Sequence, residues 1–268
     1  DFALYVRYFA FHPRFQSDSS TERKRNGRSR LELSIEDIFK NLRAQKDVPF
    51  YAYIDADNSR SQQMSTRFGF SPYTGIISRT FSRLYPRKMN GVSLSSDWTE
   101  IAGLVKKDYS HYDMYFDTHI QKGPFVVLRN KHGDVEAYAK FNVVEWKIHS
   151  LPGRYGTLWV KALPFIPFLR RLIKPKAHLF LCPDIVSQDI DAMKLERFFS
   201  AALALYKANS IIWFLDPNDA VYQKVKDRIS WGILDRIIGT KKVNVVMRNA
   251  NSSYSVERPF FVSAFDLI

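Results

Sequence analysis

Short apolar runs alternate with amphipathic stretches in the first quarter of the chain, and this alternation limits the possible folds more than any other feature of the sequence. Residues 3–11 (ALYVRYFAF) are rich in β-branched and aromatic side chains and predict a strand, which ends before Pro13. Residues 29–44 carry apolar side chains at mostly three- and four-residue spacing, which predicts an amphipathic helix. A second strand is predicted over 49–55 and a second helix over 58–68. This order predicts an α/β fold with a partly parallel sheet.

The composition is that of a folded protein, because 46% of the 268 residues are hydrophobic, enough for one large domain or two of ordinary size. The single cysteine, Cys182, excludes an intrachain disulfide and a Cys/His zinc cluster, and no metal site is expected. It also favours a reducing environment, so we expect a cytoplasmic protein. No apolar run approaches the roughly 20 residues of a membrane-spanning helix. Because the sequence begins at Asp1, without Met, we expect that a natural N-terminal region precedes it.

The chain carries 40 Lys and Arg against 27 Asp and Glu, a net charge of +13, and this excess favours an anionic partner. The densest basic cluster is residues 23–30 (RKRNGRSR). Charge alone leaves three classes of partner open, which are nucleic acid, an acidic membrane surface and a phosphorylated cofactor. It also leaves open that the cluster is an ordinary solvated loop.

The rest of the chain, from about Val92 onward, predicts a second series of alternating elements. A helix is predicted over 95–112, and a hairpin over 125–151 has its turn at His132-Gly133-Asp134. The segment 162–175 is apolar and basic, and it is either a contact element for a membrane surface or partner, or a loop packed on the core. The remaining predicted elements are a strand ended by a proline (177–183), a helix (191–210), a strand (211–217), a helix (218–229) and a strand (241–248).

Several short motifs in residues 3–77 follow one recognisable order. They are FAFHPRFQ, a basic loop with one glycine, a helix, a strand that ends in DADN, a second helix and RFGF. This order resembles the C-terminal half of a GNAT domain, the fold of the Gcn5-related N-acetyltransferases. Asn58, with Ser61 three residues later and then Gly69-Phe70, fits the register N-x-x-A/S and G-F of that family. The resemblance implies an acyl-CoA-dependent N-acyltransferase that uses acetyl-CoA or another acyl-CoA as its substrate.

The resemblance also implies which residues contact coenzyme A. In the family, the strand that resembles residues 6–13 pairs with the pantetheine arm, and the following loop and helix N-terminus hold the pyrophosphate. Free N–H groups and the helix dipole suit a diphosphate there, and nearby arginines add attraction. The residues placed at the cofactor in this way are Phe9, Phe11, Gln16, Arg25, Gly27, Arg28, Ser29, Asn58 and Ser61.

The sequence departs from the family pattern at two positions, and Asn58 also has a simpler interpretation. The loop has a single glycine, Gly27, where the family usually has two small residues. Ser65 stands at the position of the family's usual general-acid tyrosine, so the sequence assigns no catalytic residue. Asn58 also fits the plain role of a helix N-cap.

The second half of the chain resembles a second copy of the same fold, with Asn218 at the place of Asn58. Residues 182–197 (CPDIVSQDIDAMKLER) would be its phosphate loop, but they contain three aspartates and no glycine, so they would repel a diphosphate. We therefore interpret this copy as a binding or scaffolding domain without cofactor. The predicted organisation is two GNAT-like domains in tandem, the first incomplete at its N-terminus (1–77), then a linker (78–94) and a second domain (95–268).

Three functions from different classes follow from these observations. The first is an N-acyltransferase in which a small-molecule or peptide amine attacks the thioester of an acyl-CoA directly, helped mainly by proximity. The second is a non-catalytic tandem module that binds a ligand or partner. The third is a basic nucleic-acid binder, which we rank lowest because no recognised nucleic-acid motif accompanies the charge.

Overall fold

The structure is a computed structural model that describes residues 3–6, 30–45, 48–150, 156–162, 165–166, 169–248 and 258–267. The chain divides into two compact units, and each has its own hydrophobic core. The first unit comprises residues 1–75 and 243–256, and the second comprises residues 76–242 and 257–268.

The first unit is built from helices beside a small sheet. Its strand β2 pairs in parallel with β1 and antiparallel with β9, a strand from near the end of the chain. The described elements of the unit are β1 (Leu4–Tyr5), α1 (Arg30–Gln45), β2 (Phe50–Asp55), α2 (Ser59–Arg67), the first residues of β3 (Ser71–Ser82) and most of β9 (Lys241–Arg248). The predicted strand over 3–11 is described only at Leu4–Tyr5, and the rest lies outside the described residues.

Phe39 of α1 lies at the centre of the first unit's core. Its ring meets those of Phe50, Phe68 and Phe70 edge to face, with ring centroids 5.0, 6.3 and 5.8 Å apart. Gly69 has a φ of 74°, a conformation that suits a residue without Cβ, and it ends α2 so that Phe70 enters the core. The aromatic residue after this glycine is therefore a core residue.

Arg248 joins three elements of the first unit. Its guanidinium forms an ion pair with Glu36 of α1 at 3.0 Å and donates a hydrogen bond to the backbone oxygen of Phe68 at 2.7 Å. The same group lies 4.9 Å from the centre of the Phe39 ring, a cation–π contact. Because both partners of the ion pair are mostly buried, these contacts fix β9 against both helices.

The second unit contains a mixed sheet with strands in the order β3-β8-β7-β6-β5-β4. Strands β7 and β8 are parallel, and β8 with β3, β7 with β6, β6 with β5 and β5 with β4 are antiparallel. The prediction of the α/β class is thereby confirmed. The elements after β3 are β4 (Val92–Ser95), α3 (Thr99–Tyr109), β5 (Phe125–Arg129), β6 (Val135–Trp146), α4 (Gly156–Ala162), α5 (Leu169–Leu172), β7 (His178–Val186), α6 (Ala192–Tyr206), β8 (Ser210–Leu215), α7 (Ala220–Val225), α8 (Ile233–Ile238) and α9 (Ala264–Leu267).

Helix α6 buries its apolar face against this sheet, as its helical spacing predicts. Asp191 caps the helix by accepting a hydrogen bond from the backbone nitrogen of Lys194 at 2.9 Å. The ring of Phe199 meets those of Phe81 and Trp213 edge to face at 5.5 and 5.6 Å. The fully buried apolar residues of α6 in this core are Leu195, Phe198, Phe199, Ala202 and Leu203.

One predicted strand end is wrong. Strand β7 continues through Pro183 to Val186 instead of stopping at the proline. Its pairing with β6 shifts register so that Lys140 faces Ile185 and Phe141 faces Pro183, which leaves Asp184 as the extra residue of a β-bulge. A bulge tolerates a residue that lacks an N–H, and the strand can therefore continue past Pro183.

The structure also differs from the predicted linker and from the second predicted asparagine cap. Residues 78–94 contain the end of β3 and the beginning of β4. Helix α7 is shorter than the predicted 218–229, and its N-cap is Asp219, which accepts a hydrogen bond from the backbone nitrogen of Tyr222 at 3.1 Å. Asn218 instead donates its backbone N–H to the carboxylate of Asp216 at 2.7 Å, because it lies in the turn before the helix. That both units are GNAT-like copies stays a prediction.

Candidate functional site

The N-terminus of α2 follows the end of strand β2 in the first unit, as the sequence predicts. The side-chain oxygen of Asn58 accepts a hydrogen bond from the backbone nitrogen of Ser61 at 3.0 Å, so Asn58 is the N-cap. In the turn before it, the carboxylate of Asp55 accepts a hydrogen bond from the backbone nitrogen of Asp57 at 2.9 Å. The first turn of α2 contains no acidic side chain, so its N–H groups and dipole are available to an anion.

The helix cap uses only the side-chain oxygen of Asn58. Its amide nitrogen donates no hydrogen bond to any residue that the structure describes, and the residue is exposed. Ser61 gives its backbone N–H to the cap and is half-buried. Asn58 is therefore the helix cap, and its contact with coenzyme A stays a prediction, because one residue can cap the helix through its oxygen and donate to a ligand through its nitrogen.

The other predicted cofactor residues cannot be placed beside Asn58, because they lie outside the described residues. They are Phe9, Phe11, Gln16, Arg25, Gly27, Arg28 and Ser29. Their assignment to the cofactor stays a prediction.

Ser65, at the family's tyrosine position, is a buried residue of α2. Only 2% of its surface is exposed, and its hydroxyl donates a hydrogen bond to the backbone oxygen of Gln62 at 2.8 Å. Ser65 is therefore not a solvated helix residue, since its side chain points inward. A hydroxyl turned back onto its own helix is badly placed to protonate a leaving group.

In the second unit, a buried tyrosine occupies the end of strand β7. The phenol of Tyr109 donates a hydrogen bond to the backbone oxygen of Val186 and accepts one from the backbone nitrogen of the same residue, both at 2.7 Å. It also accepts a hydrogen bond from the side chain of Gln188 at 3.1 Å. Both backbone groups of Val186 are thereby used within the protein. In the family that the sequence resembles, the matching strand pairs with pantetheine.

Two further phenols donate hydrogen bonds to buried carboxylates near this end of the sheet. Tyr138 donates to a carboxylate oxygen of Asp108 at 2.7 Å, and the same oxygen accepts the backbone N–H of Gln188 at 3.1 Å. Tyr112 donates to the carboxylate of Asp219 at 2.7 Å. Each hydroxyl and carboxylate of this network has a partner, so the network is a satisfied polar core.

The protonation states follow from burial. Burial raises the pKa of the Tyr109, Tyr112 and Tyr138 phenols above their ordinary value, and the neighbouring carboxylates add to the rise. Burial also raises the pKa of Asp219, which its hydrogen bonds partly offset. The phenols therefore keep their protons near neutral pH and act as hydrogen-bond donors. This network was not predicted from the sequence, although an aspartate and tyrosines on the inward face of a predicted helix were the signal for it.

Carboxylates also occupy the N-terminus of α6. Asp191 caps it, and Asp189 before it forms an ion pair with Lys107 of α3 at 2.9 Å. Two carboxylates therefore lie where a second diphosphate would have to bind. That the second unit holds no cofactor stays a prediction, which these carboxylates and the occupied backbone of Val186 support.

Two further features, a metal-binding cluster and a membrane-spanning helix, are absent from the described part of the chain. There, no three or more His, Cys, Asp or Glu side chains are grouped so that they could hold a metal ion. None of the helices in the described ranges has both the length and the apolar character needed to cross a membrane.

The sequence matches no protein-family profile and no curated protein, but its fold matches solved structures. Yeast (Saccharomyces cerevisiae) N-myristoyltransferase with bound myristoyl-CoA is 10% identical, with a TM-score of 0.53 over 97% of this chain and 65% of that one. A structure of the same enzyme with myristoyl-CoA and inhibitors gives the same identity and TM-score over 96% and 65%. A GCN5-related N-acetyltransferase from Anabaena variabilis is 10% identical, with a TM-score of 0.42 over 84% and 52%.

The yeast matches establish the fold and nothing finer. The chain spans 65% of the yeast enzyme, which is less than two thirds of its length, and the identity is only 10%. Within those limits, the chain shares the fold of yeast N-myristoyltransferase, and this likeness agrees with the GNAT-like fold that the sequence resemblance predicts.

Proposed function

We propose that this protein is an acyl-CoA-dependent N-acyltransferase whose acyl-CoA site is in the first unit, at the N-terminus of α2. The observation that carries the proposal is the capped start of this helix, where Asn58 is exposed and its amide nitrogen has no hydrogen bond to any described residue. It occurs in a chain with the fold of an N-myristoyltransferase that was crystallised with myristoyl-CoA. The fold alone assigns no activity, so the proposal depends on the residues at this helix N-terminus.

The chemistry needs little from acidic or basic side chains. The nitrogen of a neutral amine forms a bond to the thioester carbonyl carbon, the carbon–sulfur bond breaks, and the coenzyme A thiolate leaves with the bonding electrons. The proton lost by nitrogen passes to water, and the thiolate is protonated from water. The protein contributes mainly by holding the two reactants together, which is worth up to about 7–11 kcal/mol of barrier in well-oriented reactions. Backbone N–H groups near Phe9 and Phe11 are the proposed donors to the carbonyl oxygen.

The finer parts of the proposal concern the substrates. Acetyl-CoA is the proposed acyl donor, and a small-molecule or peptide amine is the proposed acceptor, in a cytoplasmic protein. Arg25, Arg28 and the backbone of Gly27 are proposed to hold the pyrophosphate, since arginine suits phosphate geometry. The second unit is proposed to act as a scaffold without cofactor, since its matching strand end is filled by Tyr109.

The test separates the two roles of Asn58. Calorimetric titration of the wild type with coenzyme A should give saturable binding, and Asn58→Ser should weaken it about 2- to 10-fold, because one amide donor is lost. The stability of Asn58→Ser should change by only a few tenths of a kcal/mol, since serine also caps helices well. Asn58→Ala is the control for the cap and should lose about 0.5–2 kcal/mol of stability. Absence of any coenzyme A binding by the wild type would refute the proposal.

A further inference from the structure

A basic pocket of about 810 Å³ lies in the second unit, apart from every residue assigned above. One wall is the segment that follows β3, residues 83–89, and the other is a face of helix α6. The volume lies in the range of small-molecule sites in proteins, about 300–1,000 Å³. We call it the 83–89 pocket.

The wall of the 83–89 pocket is held in place by hydrogen bonds to its surroundings. The backbone nitrogen of Arg83 donates to the oxygen of Asn209 at 3.0 Å, and the side chain of Asn209 donates back to the oxygen of Arg83 at 2.9 Å. The backbone nitrogen of Arg87 donates to the hydroxyl of Ser200 on α6 at 2.9 Å. The pocket is therefore formed before any ligand arrives, which lowers the entropy cost of binding.

One cation of the pocket is neutralised within the protein. Arg83 forms an ion pair with Glu196 at 2.6 Å, and the second carboxylate oxygen of Glu196 accepts the backbone N–H of Ser230 at 3.0 Å. Burial lowers the pKa of Arg83, and the charge of Glu196 opposes this change. Both oxygens of the pocket's carboxylate are thus occupied, and its charge is balanced by Arg83.

The other cations of the pocket have no such balance. The side chains of Arg87, Lys88 and Arg197 line it without a hydrogen bond or ion pair to any residue in the described ranges. A fourth cation, Arg171 of α5, stacks over the ring of the pocket residue Tyr85 at 4.4 Å. Exposed cations are usually solvated and carry no meaning one by one, but these converge on one concave surface.

Apolar side chains complete the lining. Leu84, Met89 and Met193 lie among the cations, and the ring of Tyr85 is 68% exposed. A simple inorganic anion would fill only part of 810 Å³, and it would leave these apolar groups in water. The lining suits a ligand with both a strongly anionic and an apolar part.

From this arrangement we propose that the 83–89 pocket binds a phosphate-bearing ligand with an apolar portion. Arg87, Lys88 and Arg197 contact the phosphate, because the guanidinium fork fits phosphate oxygens in pairs and lysine adds a point charge. Tyr85, Met89 and the other apolar residues contact the remainder of the ligand. The proposal does not depend on the acyl-CoA site, which is assigned to the other unit. The phosphate belongs either to a soluble molecule or to a lipid headgroup.

The first experiment measures phosphate binding by calorimetric titration with inorganic pyrophosphate at low salt, in a whole chain that carries Arg25→Gln/Arg28→Gln so that the proposed site of the first unit does not contribute. Adding Arg87→Gln/Arg197→Gln to this parent should weaken binding at least about ten-fold, because two charge-assisted contacts are lost. The matched control is Lys131→Gln/Arg228→Gln, which removes the same charge from exposed cations of the same unit that do not line the pocket. It should change the affinity by less than about two-fold. No saturable binding, or equal weakening in both double variants, would overturn the proposal.

The second experiment identifies the source of the phosphate and separates this site from the acyl-CoA site. Phosphatidylcholine vesicles with phosphatidic acid should sediment the wild type better than Arg87→Gln/Arg197→Gln if the source is a headgroup, and equally if it is a soluble molecule. Coenzyme A affinity should be unchanged in this double variant. The opposite result is that Arg87→Gln/Arg197→Gln loses coenzyme A binding while Asn58→Ser keeps the wild-type affinity. It would support the pocket as a phosphate site and overturn the proposed function of the first unit.

Discussion

Asn58 and Ser65 have different environments, although Asn58 caps the short helix α2 and Ser65 lies within it. Asn58 is exposed at the N-terminus, where backbone N–H groups face outward, whereas Ser65 is buried and bonded to Gln62. Position along the helix thus decides function at this scale, because only the first turn has free donors.

Ser65→Ala should keep most of the acyltransferase rate. A serine hydroxyl is far less acidic than a phenol, and here it already donates to the backbone of Gln62. General acid catalysis is worth about 10²–10⁴-fold, so a fall in kcat of less than about 10-fold is expected in steady-state kinetics with an amine acceptor. A loss of several hundred-fold would restore Ser65 as a catalytic residue.

His178 should make stability depend on pH. Burial lowers the pKa of its imidazole, and the charge of Lys174 lowers it further. The unfolded state therefore takes up a proton, with an ordinary pKa of about 6.5, before the folded state does, and stability falls as the pH drops through that region.

The measurement for His178 is a pair of urea titrations at about pH 7.5 and about pH 5.5, on either side of the ordinary pKa. The wild type should lose more free energy of unfolding between the two than His178→Gln loses. An identical loss in both proteins would contradict the sign of the shift.

At the scale of elements, the end of strand β3 and the start of α8 are locked together. The backbone nitrogen of Ser82 donates to the oxygen of Trp231 at 2.7 Å. Within α8, the carboxylate of Asp235 accepts two hydrogen bonds from the guanidinium of Arg79, at 3.0 and 2.9 Å, and one from the backbone nitrogen of Thr80. The close approach of Ser82 leaves no room for a side chain at Gly232.

Gly232→Ala should destabilise the second unit by about 2–4 kcal/mol. Its φ is 101°, and a Cβ would lie 2.3 Å from the oxygen of Ser82, so backbone strain and a steric clash both contribute. Gly239→Ala is the matched control, because its φ of 72° gives strain while no atom lies within 4 Å of the added carbon. Urea denaturation should show the larger loss for Gly232→Ala, and equal losses would contradict the clash.

At the scale of the whole molecule, each unit is completed by residues from the C-terminal part of the chain. Strand β9 joins the first unit, where Val246 is a core residue. Residues 258–267 belong to the second unit, where Phe260 and Phe261 are buried. The backbone nitrogens of Phe260 and Ala264 donate to the buried carboxylates of Asp216 and Asp184.

Ending the chain after Val256 should destabilise the second unit by more than about 5 kcal/mol. Loss of a buried phenylalanine side chain costs about 3–5 kcal/mol, and the deletion removes two along with hydrogen bonds to Asp184 and Asp216. Phe265→Ser is the control, because that side chain is 64% exposed and should matter by less than about 0.5 kcal/mol. Hydrogen exchange at β7 would report the effect, and unchanged protection after truncation would refute it.

The local features of this protein could be predicted from the sequence. The cap at Asn58, the stop at Gly69 and the hairpin turn at Gly133, where φ is 93°, depend on neighbours within a few residues. The alternation of strands and helices likewise predicted the α/β class, because the period of apolar residues reports which face of an element is buried.

Which distant residues contact one another could not be predicted from the sequence. The bulge that carries β7 past Pro183 depends on the register of β6, and the occupied backbone of Val186 depends on Tyr109 from a separate helix. Arg87 and Arg197 converge on one pocket although 110 residues separate them in sequence. Such contacts arise from packing between elements, and local propensity and periodicity carry no information about which elements become neighbours.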